Sequence, residues 1–260
     1  MTTKILVEGL WKTFDTPRGK MDAVKDFSMV VEEGKFVSIV GPSGCGKSTL
    51  LRILAGLIPA TQGLVKITPG KDPSKPLNNV VFQEYAIFPW KTVLDNVAFG
   101  LEMRGFSAAD RQEKARYWID AVGLNKFVTY YPHQLSGGMK QRVSIARALA
   151  NDPEVLLMDE PLGALDAQTR AVLQELILNI WESTKKTVIY ITHSIDEAVL
   201  LSDQIVLMTA HPGTKKADFN VDIPRPRGLE TTGTPEYARL SWAIWESLRD
   251  EVVAAMEAQR

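Results

Sequence analysis

Residues Phe36-Val37-Ser38-Ile39-Val40-Gly41-Pro42-Ser43-Gly44-Cys45-Gly46-Lys47-Ser48 pass from a nearly continuous apolar strand into a glycine-rich turn. The last eight fit G-x-x-x-x-G-K-[ST], and Ser48 to Ile58 carries a helical pattern that Pro59 stops. Strand, loop and helix in that order are the setting in which such a turn cradles phosphate. Glycines let backbone N–H groups face phosphate oxygens, and the helix N-terminus adds positive potential. Lys47 is placed to neutralise β and γ oxygens, and Ser48 to ligate Mg²⁺. The competing reading is an ordinary Gly-rich turn. Chance produces the pattern about once per hundred chains of this size, before its context is counted.

A second apolar run, Val155-Leu156-Leu157-Met158, ends in Asp159-Glu160, two carboxylates where a buried strand emerges. Parallel strands present ligands at their carboxyl ends. Asp159 suits the orientation of Mg²⁺ or its water shell; the alternation of a strand turns Glu160 the other way, toward an attacking water.

Around these motifs the pattern alternates. Short strands are predicted at Ile5 to Val7, Phe27 to Val31, Val65 to Ile67 and Val80 to Gln83, then helices at Thr92 to Arg104, Ser107 to Val122 and Ser136 to Ala150. Ser107 and Asp110 have the spacing of a capping box. Strands return at Val155 to Met158, Thr187 to Thr192 and Gln204 to Met208, before a Pro/Gly-rich segment from His211 to Gly228 and a helical region from Pro235. A helical lobe thus interrupts an α/β core. The 260 residues carry 30 Lys+Arg against 31 Asp+Glu, so no global basic field gathers nucleic acid, and 45% hydrophobic content excludes disorder. A lone cysteine, Cys45, makes no internal disulfide, and the apolar runs fall far short of the roughly 18 residues that span a bilayer. The N-terminus lacks the apolar core of a secretory signal, and the expectation is a cytosolic protein. His133 and His211 show no metal-ligand spacing.

Leu135-Ser136-Gly137-Gly138-Met139-Lys140-Gln141-Arg142 narrows the field beyond phosphate-loop proteins at large. Ser136 would cap a helix whose first turn is Gly-Gly, and two glycines there, unfavourable by about 1 kcal/mol each in a helix, call for close backbone approach. The stretch resembles the LSGGQ signature of ATP-binding-cassette ATPases, with Met139 in place of the usual Gln. That resemblance extends along nearly the whole chain. It implies a Q-loop role for Gln83, sensing Mg²⁺, and a D-loop at Ala164-Leu165-Asp166. It makes His193 the switch histidine and Phe14 the ring that stacks on adenine, with Trp11 competing; either ring is also readable as core.

The resemblance further implies an α/β P-loop NTPase core with an antiparallel β region and an inserted helical subdomain. Its segments are 1–87 (β region and first part of the core), 88–150 (helical insert with the signature), 151–210 (second part of the core) and 211–260 (C-terminal extension). ATP and Mg²⁺ are the implied ligands. Gly41, Pro42, Ser43, Gly44, Cys45, Gly46, Lys47, Ser48 and Thr49 would hold ATP with Phe14 and Gln83; Ser48, Gln83 and Asp159 would hold Mg²⁺. Catalysis would fall to Glu160, His193, Gln83 and Lys47. Ser136, Gly137, Gly138 and Asp166 would reach the ATP of a second copy in a head-to-tail dimer.

Gln83 to Trp90, Thr92 to Val97 and Val221 to Arg227 are similar to nitrate/sulfonate/taurine importer ATPases, with Tyr85 as the departure. Such a protein works at the cytoplasmic face of the inner membrane, with permease subunits and, indirectly, a substrate-binding protein. Tyr85 to Trp90 is then the expected permease contact, though core aromatics are the commoner explanation of such a cluster. An exporter subunit, a non-transport cassette protein and a P-loop kinase are the alternatives.

Overall fold

The structure is a computed structural model that describes residues 2–17 and 19–257. The chain divides into two compact units, Met1–Pro69 with Lys185–Arg260, and Gly70–Thr184.

In the first unit, β1 (Thr3–Thr16) and β2 (Gly19–Glu32) form a long antiparallel hairpin, with β4 (Gln62–Ile67) on the far side of β1. Only its inner ends, around Ile5 to Val7 and Phe27 to Val31, were expected from the sequence. The outer part has no clean alternation because the register shifts between Val7 and Leu10, beside Gly9 at φ 52° and Asp26 at φ 45°. Pairing still satisfies the polar backbone out to Asp15 opposite Lys20.

β3 (Phe36–Val40) is buried throughout and lies between β7 (Thr187–Thr192) and β8 (Gln204–Met208), parallel to both. Burial on both faces explains the near-continuous apolar run. Even Ser38 is fully enclosed, its hydroxyl paired with that of Ser202. β9 (Lys215–Asn220) runs antiparallel to β8 and corrects the expectation of an irregular segment from His211 to Gly228. As an edge strand it alternates half-buried and exposed residues, so no apolar run announces it.

α1 (Lys47–Leu54) stops short of Ile58. Gly56, at φ 71°, turns the chain, and Leu57 N–H donates back to the Arg52 carbonyl at 2.9 Å, a glycine stop that acts before Pro59. α6 (Ile195–Leu201) starts at Ser194, whose hydroxyl accepts from Glu197 N–H. α7 (Pro235–Glu257) lays Tyr237, Ile244 and Leu248 into a cluster with Val40, Val199 and Leu207. The Val221 to Arg227 segment is fastened by its last residue. The buried Arg227 guanidinium donates to the carbonyls of Val199, Ser202, Val221 and Ile223 at 2.6–3.2 Å, two of them at the C-terminal end of α6, where positive charge is favoured.

The second unit pairs β5 (Asn78–Val81) and β6 (Val155–Asp159) in parallel and packs α2 (Val93–Met103), α3 (Ala108–Ala121) and α4 (Gly137–Ala150) around one core. Val97 and Leu101 of α2 meet Ala115 and Ile119 of α3 and Val143 and Ala146 of α4. Thr92, Ser107 and Ser136 cap these helices, each hydroxyl accepting the N–H three residues on. α5 (Ala167–Thr184) begins at Asp166, whose carboxylate accepts from Thr169 N–H at 2.9 Å.

Candidate nucleotide site

The phosphate loop belongs to the first unit, where two of its glycines answer to neighbours. A Cβ on Gly41 would lie 2.9 Å from the Met208 carbonyl oxygen, and one on Gly46, at φ 104°, would run into the Ala23 carbonyl. Gly44 differs: at φ 79° it needs glycine for its backbone alone, and nothing lies within 4 Å of where its Cβ would be. That is the open side of the loop. Lys47, the first residue of α1, is buried with its ammonium donating to the carbonyls of Gly41 at 2.9 Å and Pro42 at 3.0 Å. The loop therefore keeps its positive charge at its own centre. Cys45 is buried and its Sγ lies 4.0 Å from Lys47 Nζ, so this residue can offer a ligand only its backbone. Ser48 and Thr49 follow Lys47 in α1, and His193 follows β7 to line a cavity with Gly41, Pro42 and Ser43.

Phe14 and Trp11 both stand on β1, half-buried, each with a lysine over its ring: Lys12 at 4.9 Å from Phe14 and Lys25 at 5.5 Å from Trp11. Both rings are already used as cation platforms.

In the second unit, Asp159 ends β6 and is buried, whereas Glu160 lies past the strand at φ 42°. Strand alternation is thus not what separates the two carboxylates, as the sequence reading had it; a left-handed residue does. A bulky side chain held there costs on the order of 1–3 kcal/mol, a strain typical of functional positions. Gln83 lies two residues beyond β5 rather than at its end. Gly163 brings Gln83 and Glu160 to one place: its Cβ position would be 3.7 Å from both Gln83 Nε2 and Glu160 Oε2.

Ser136 caps α4 as its sequence required, and the close approach demanded by the two glycines is met within this chain. A Cβ on Gly137 would stand 2.9 Å from the Tyr85 hydroxyl oxygen, and one on Gly138 would stand 2.6 Å from Thr169 Cγ2. Asp166 serves as the cap of α5; hydrogen bonds from the Thr169 backbone and side chain hold its carboxyl below the ordinary range.

Two residues that the sequence reading passed over shape the segment after Gln83. Arg147 of α4 donates to the Tyr85 and Ala86 carbonyls at 3.4 and 2.7 Å and lies 5.7 Å from the Phe88 ring. Burial pulls its guanidinium below the ordinary arginine value. Asn96, fully buried in α2, accepts from Phe88 N–H at 2.7 Å and donates to the carbonyls of Phe88, Lys91 and Thr92 at 2.9–3.1 Å. The one available signal was an amide on the apolar face shared by Val93 and Val97. Phe88 packs on Phe99 at 4.6 Å, while Trp90 is 71% exposed.

Known proteins resemble this chain along most of its length. The family model described as "ABC transporter" matches residues 24–163. An uncharacterized ABC transporter ATP-binding protein of Methanocaldococcus jannaschii, MJ0412, is 48% identical, with 99% of this chain and 96% of the relative aligned. The nitrate import ATP-binding protein NrtD of Synechocystis sp. is 40% identical over 97% of each chain. The taurine import ATP-binding protein TauB of Jannaschia sp. is 44% identical over 98% of this chain and 99% of its own. Among solved structures, the dimeric bacterial ABC transporter cassette MJ0796 superposes with a TM-score of 0.74 at 33% identity, covering 85% of this chain and 100% of that one. With a phosphate loop closed around Lys47 and a Ser136-capped Gly-Gly helix, the chain belongs to the ABC transporter family, as one of its ATP-hydrolysing cassettes.

Proposed function

We propose that this cassette powers import of a small anion of the nitrate, sulfonate or taurine kind, through permease subunits at the cytoplasmic face of a membrane. One observation carries the ATPase part: the chain has both a phosphate loop with its lysine at the centre and a helix N-terminus bared by two glycines behind a serine cap. The anion class rests on the relatives named for nitrate and taurine import.

On this reading, ATP phosphates enter the open side at Gly44 and take Lys47 from the Gly41 and Pro42 carbonyls. The Ser48 hydroxyl, Asp159 carboxylate and Gln83 amide are hard oxygen donors of the type Mg²⁺ accepts, and the ion would balance charge on the phosphates. Glu160 takes the proton of the attacking water, Gln83 stands beside it at Gly163, and His193 faces the γ-phosphate. In a head-to-tail dimer, Ser136, Gly137 and Gly138 of the partner subunit close the site, with Asp166 of the partner subunit at the seam. The capping bond at Asp166 would then hold the seam in shape. Trp90 and the clamped loop behind Gln83 offer the permease its contact, and a substrate-binding protein delivers the anion outside.

Reconstitution with its permease and binding protein in vesicles tests this reading. Nitrate, taurine or an alkanesulfonate should stimulate ATP hydrolysis at least about tenfold over a neutral sugar. A complex stimulated only by solutes that carry neither a nitrate nor a sulfonate group refutes the assignment.

A further inference from the structure

α7 has 23 residues, about 35 Å of helix, yet the only ones it buries are Tyr237, Ile244 and Leu248. Its first half is seated. The Tyr237 hydroxyl donates to Asp196 at 2.5 Å, and Ile244 and Leu248 enter the cluster with Val40 and Leu207. The second half is held differently. Glu251 accepts from Ala210 N–H at 2.7 Å and from the Lys216 ammonium at 2.6 Å, and past Leu248 no described residue of the helix is buried.

On either side of that polar tether, Trp245 before it and Val252 and Met256 after it face Gly41, Ser43 and His193 across a cavity of about 290 Å³. One wall is the flank of a loop shaped to receive phosphate; the other is an indole, a valine and a thioether. Multiply charged phosphates next to such a wall lose hydration without gaining donors, which is costly. The apolar wall and the charged occupant suit each other poorly, and the Val252 and Met256 portion of the wall is loosely fastened.

We propose that the second half of α7 is an autoinhibitory strap. Seated, it covers the Gly41 to Ser43 flank of the phosphate loop and His193; released, it lets a second copy close on the bound nucleotide. The closure step rests on the composite-site reading of the proposed function. The strap needs no new ligand: its tether is the Glu251 pair, and its seat is the cavity wall.

Two variants of the purified full-length protein test it. Met256→Asp removes the thioether from the cavity wall at a position that is 63% exposed, so the fold stays intact while the strap loses that apolar contact. Ending the chain after Arg249 removes tether and seat together. Steady-state hydrolysis should rise at least about fivefold in both, with ATP affinity within about twofold of the parent. Unchanged or slower turnover in Met256→Asp, with an unchanged melting temperature, overturns the strap whatever the truncation does. A parallel mixture of Lys47→Ala with Ser136→Arg separates the two readings. Regained activity on mixing without acceleration by Met256→Asp overturns the strap alone. Acceleration without regained activity, heterodimers being demonstrated, overturns the composite site and leaves a strap that acts on the loop.

Discussion

Replacing Gly138 by Ala tests why the signature helix begins with two glycines. The added Cβ would lie 2.6 Å from Thr169 Cγ2, roughly 1 Å inside an ordinary carbon–carbon contact of about 3.5–4.0 Å. Overpacking of that kind costs about 1–3 kcal/mol, against a helix-propensity gain of at most about 1 kcal/mol. The single variant should therefore lose about 1–2 kcal/mol. Thr169→Ser deletes the offending methyl but keeps the hydroxyl and the N–H that donates to Asp166. By itself it costs at most about 0.8 kcal/mol, the value for one fully buried carbon, since Thr169 is half-buried. In the double variant the clash is gone, so the coupling energy from urea denaturation of all four proteins should reach about 1–3 kcal/mol in the rescuing direction. Effects that add to within about 0.5 kcal/mol refute the packing argument. Turnover of the double variant then separates the two reasons for the glycine. Restored stability with restored hydrolysis means that Gly138 serves only internal packing; restored stability with lost hydrolysis means that a second copy's nucleotide needs the bare backbone.

Glu160→Gln should retain ATP binding in equilibrium dialysis and lose turnover at least about a hundredfold, since the phosphate contacts stay while the proton acceptor goes; near-normal hydrolysis removes Glu160 from the mechanism. Arg227→Leu leaves the carbonyls of Val199, Ser202, Val221 and Ile223 without their donor, so unfolding free energy should fall by about 2–4 kcal/mol in urea, with Arg227→Lys recovering little because an ammonium lacks the fork. Cys45 should resist maleimide in the native protein and label fully in urea, because its thiol is buried against the loop; fast native labelling would show that the loop opens. For Glu251, burial pushes the carboxyl up, but hydrogen bonds from Lys216 and Ala210 outweigh it and hold the group below the usual value. A lowered folded-state pKa gives stability that is present above the unfolded value and lost as pH falls through the folded one. The stability gap between parent and Glu251→Gln should accordingly narrow under acid, with Lys216 still charged; a gap that widens under acid contradicts the assignment.

Local chemistry was readable where it is written in consecutive residues. The β3 run, the phosphate loop and the caps at Ser107 and Ser136 needed only neighbours in sequence. Where the backbone departs from its period, the reading failed. Bulges beside Gly9 and Asp26 hid the length of the hairpin, the polar edge strand β9 offered no apolar run, and Gly56 ended α1 before the proline that seemed to. Other features are invisible for a stronger reason: Arg147 acts on the Tyr85 and Ala86 carbonyls and Arg227 on those of Val199 and Ser202, segments that come close only on folding. Glu160 belongs to both classes. Its place after Asp159 was plain, but the positive φ that aims it depends on how the chain leaves the strand.

The grips of Asn96 and Arg147 on the segment from Tyr85 to Thr92 are made almost wholly to main-chain atoms. A frame secured that way is indifferent to what its outward side chains are. Glu84, Pro89 and Trp90 are exposed, and exchanging Glu84 or Trp90 alters the surface without loosening a single one of those bonds. Two helices thus hold a template whose outward face can be rewritten by point mutation, and on the proposed permease contact such a cassette would be re-matched to a different membrane partner while its hydrolytic machinery stays untouched.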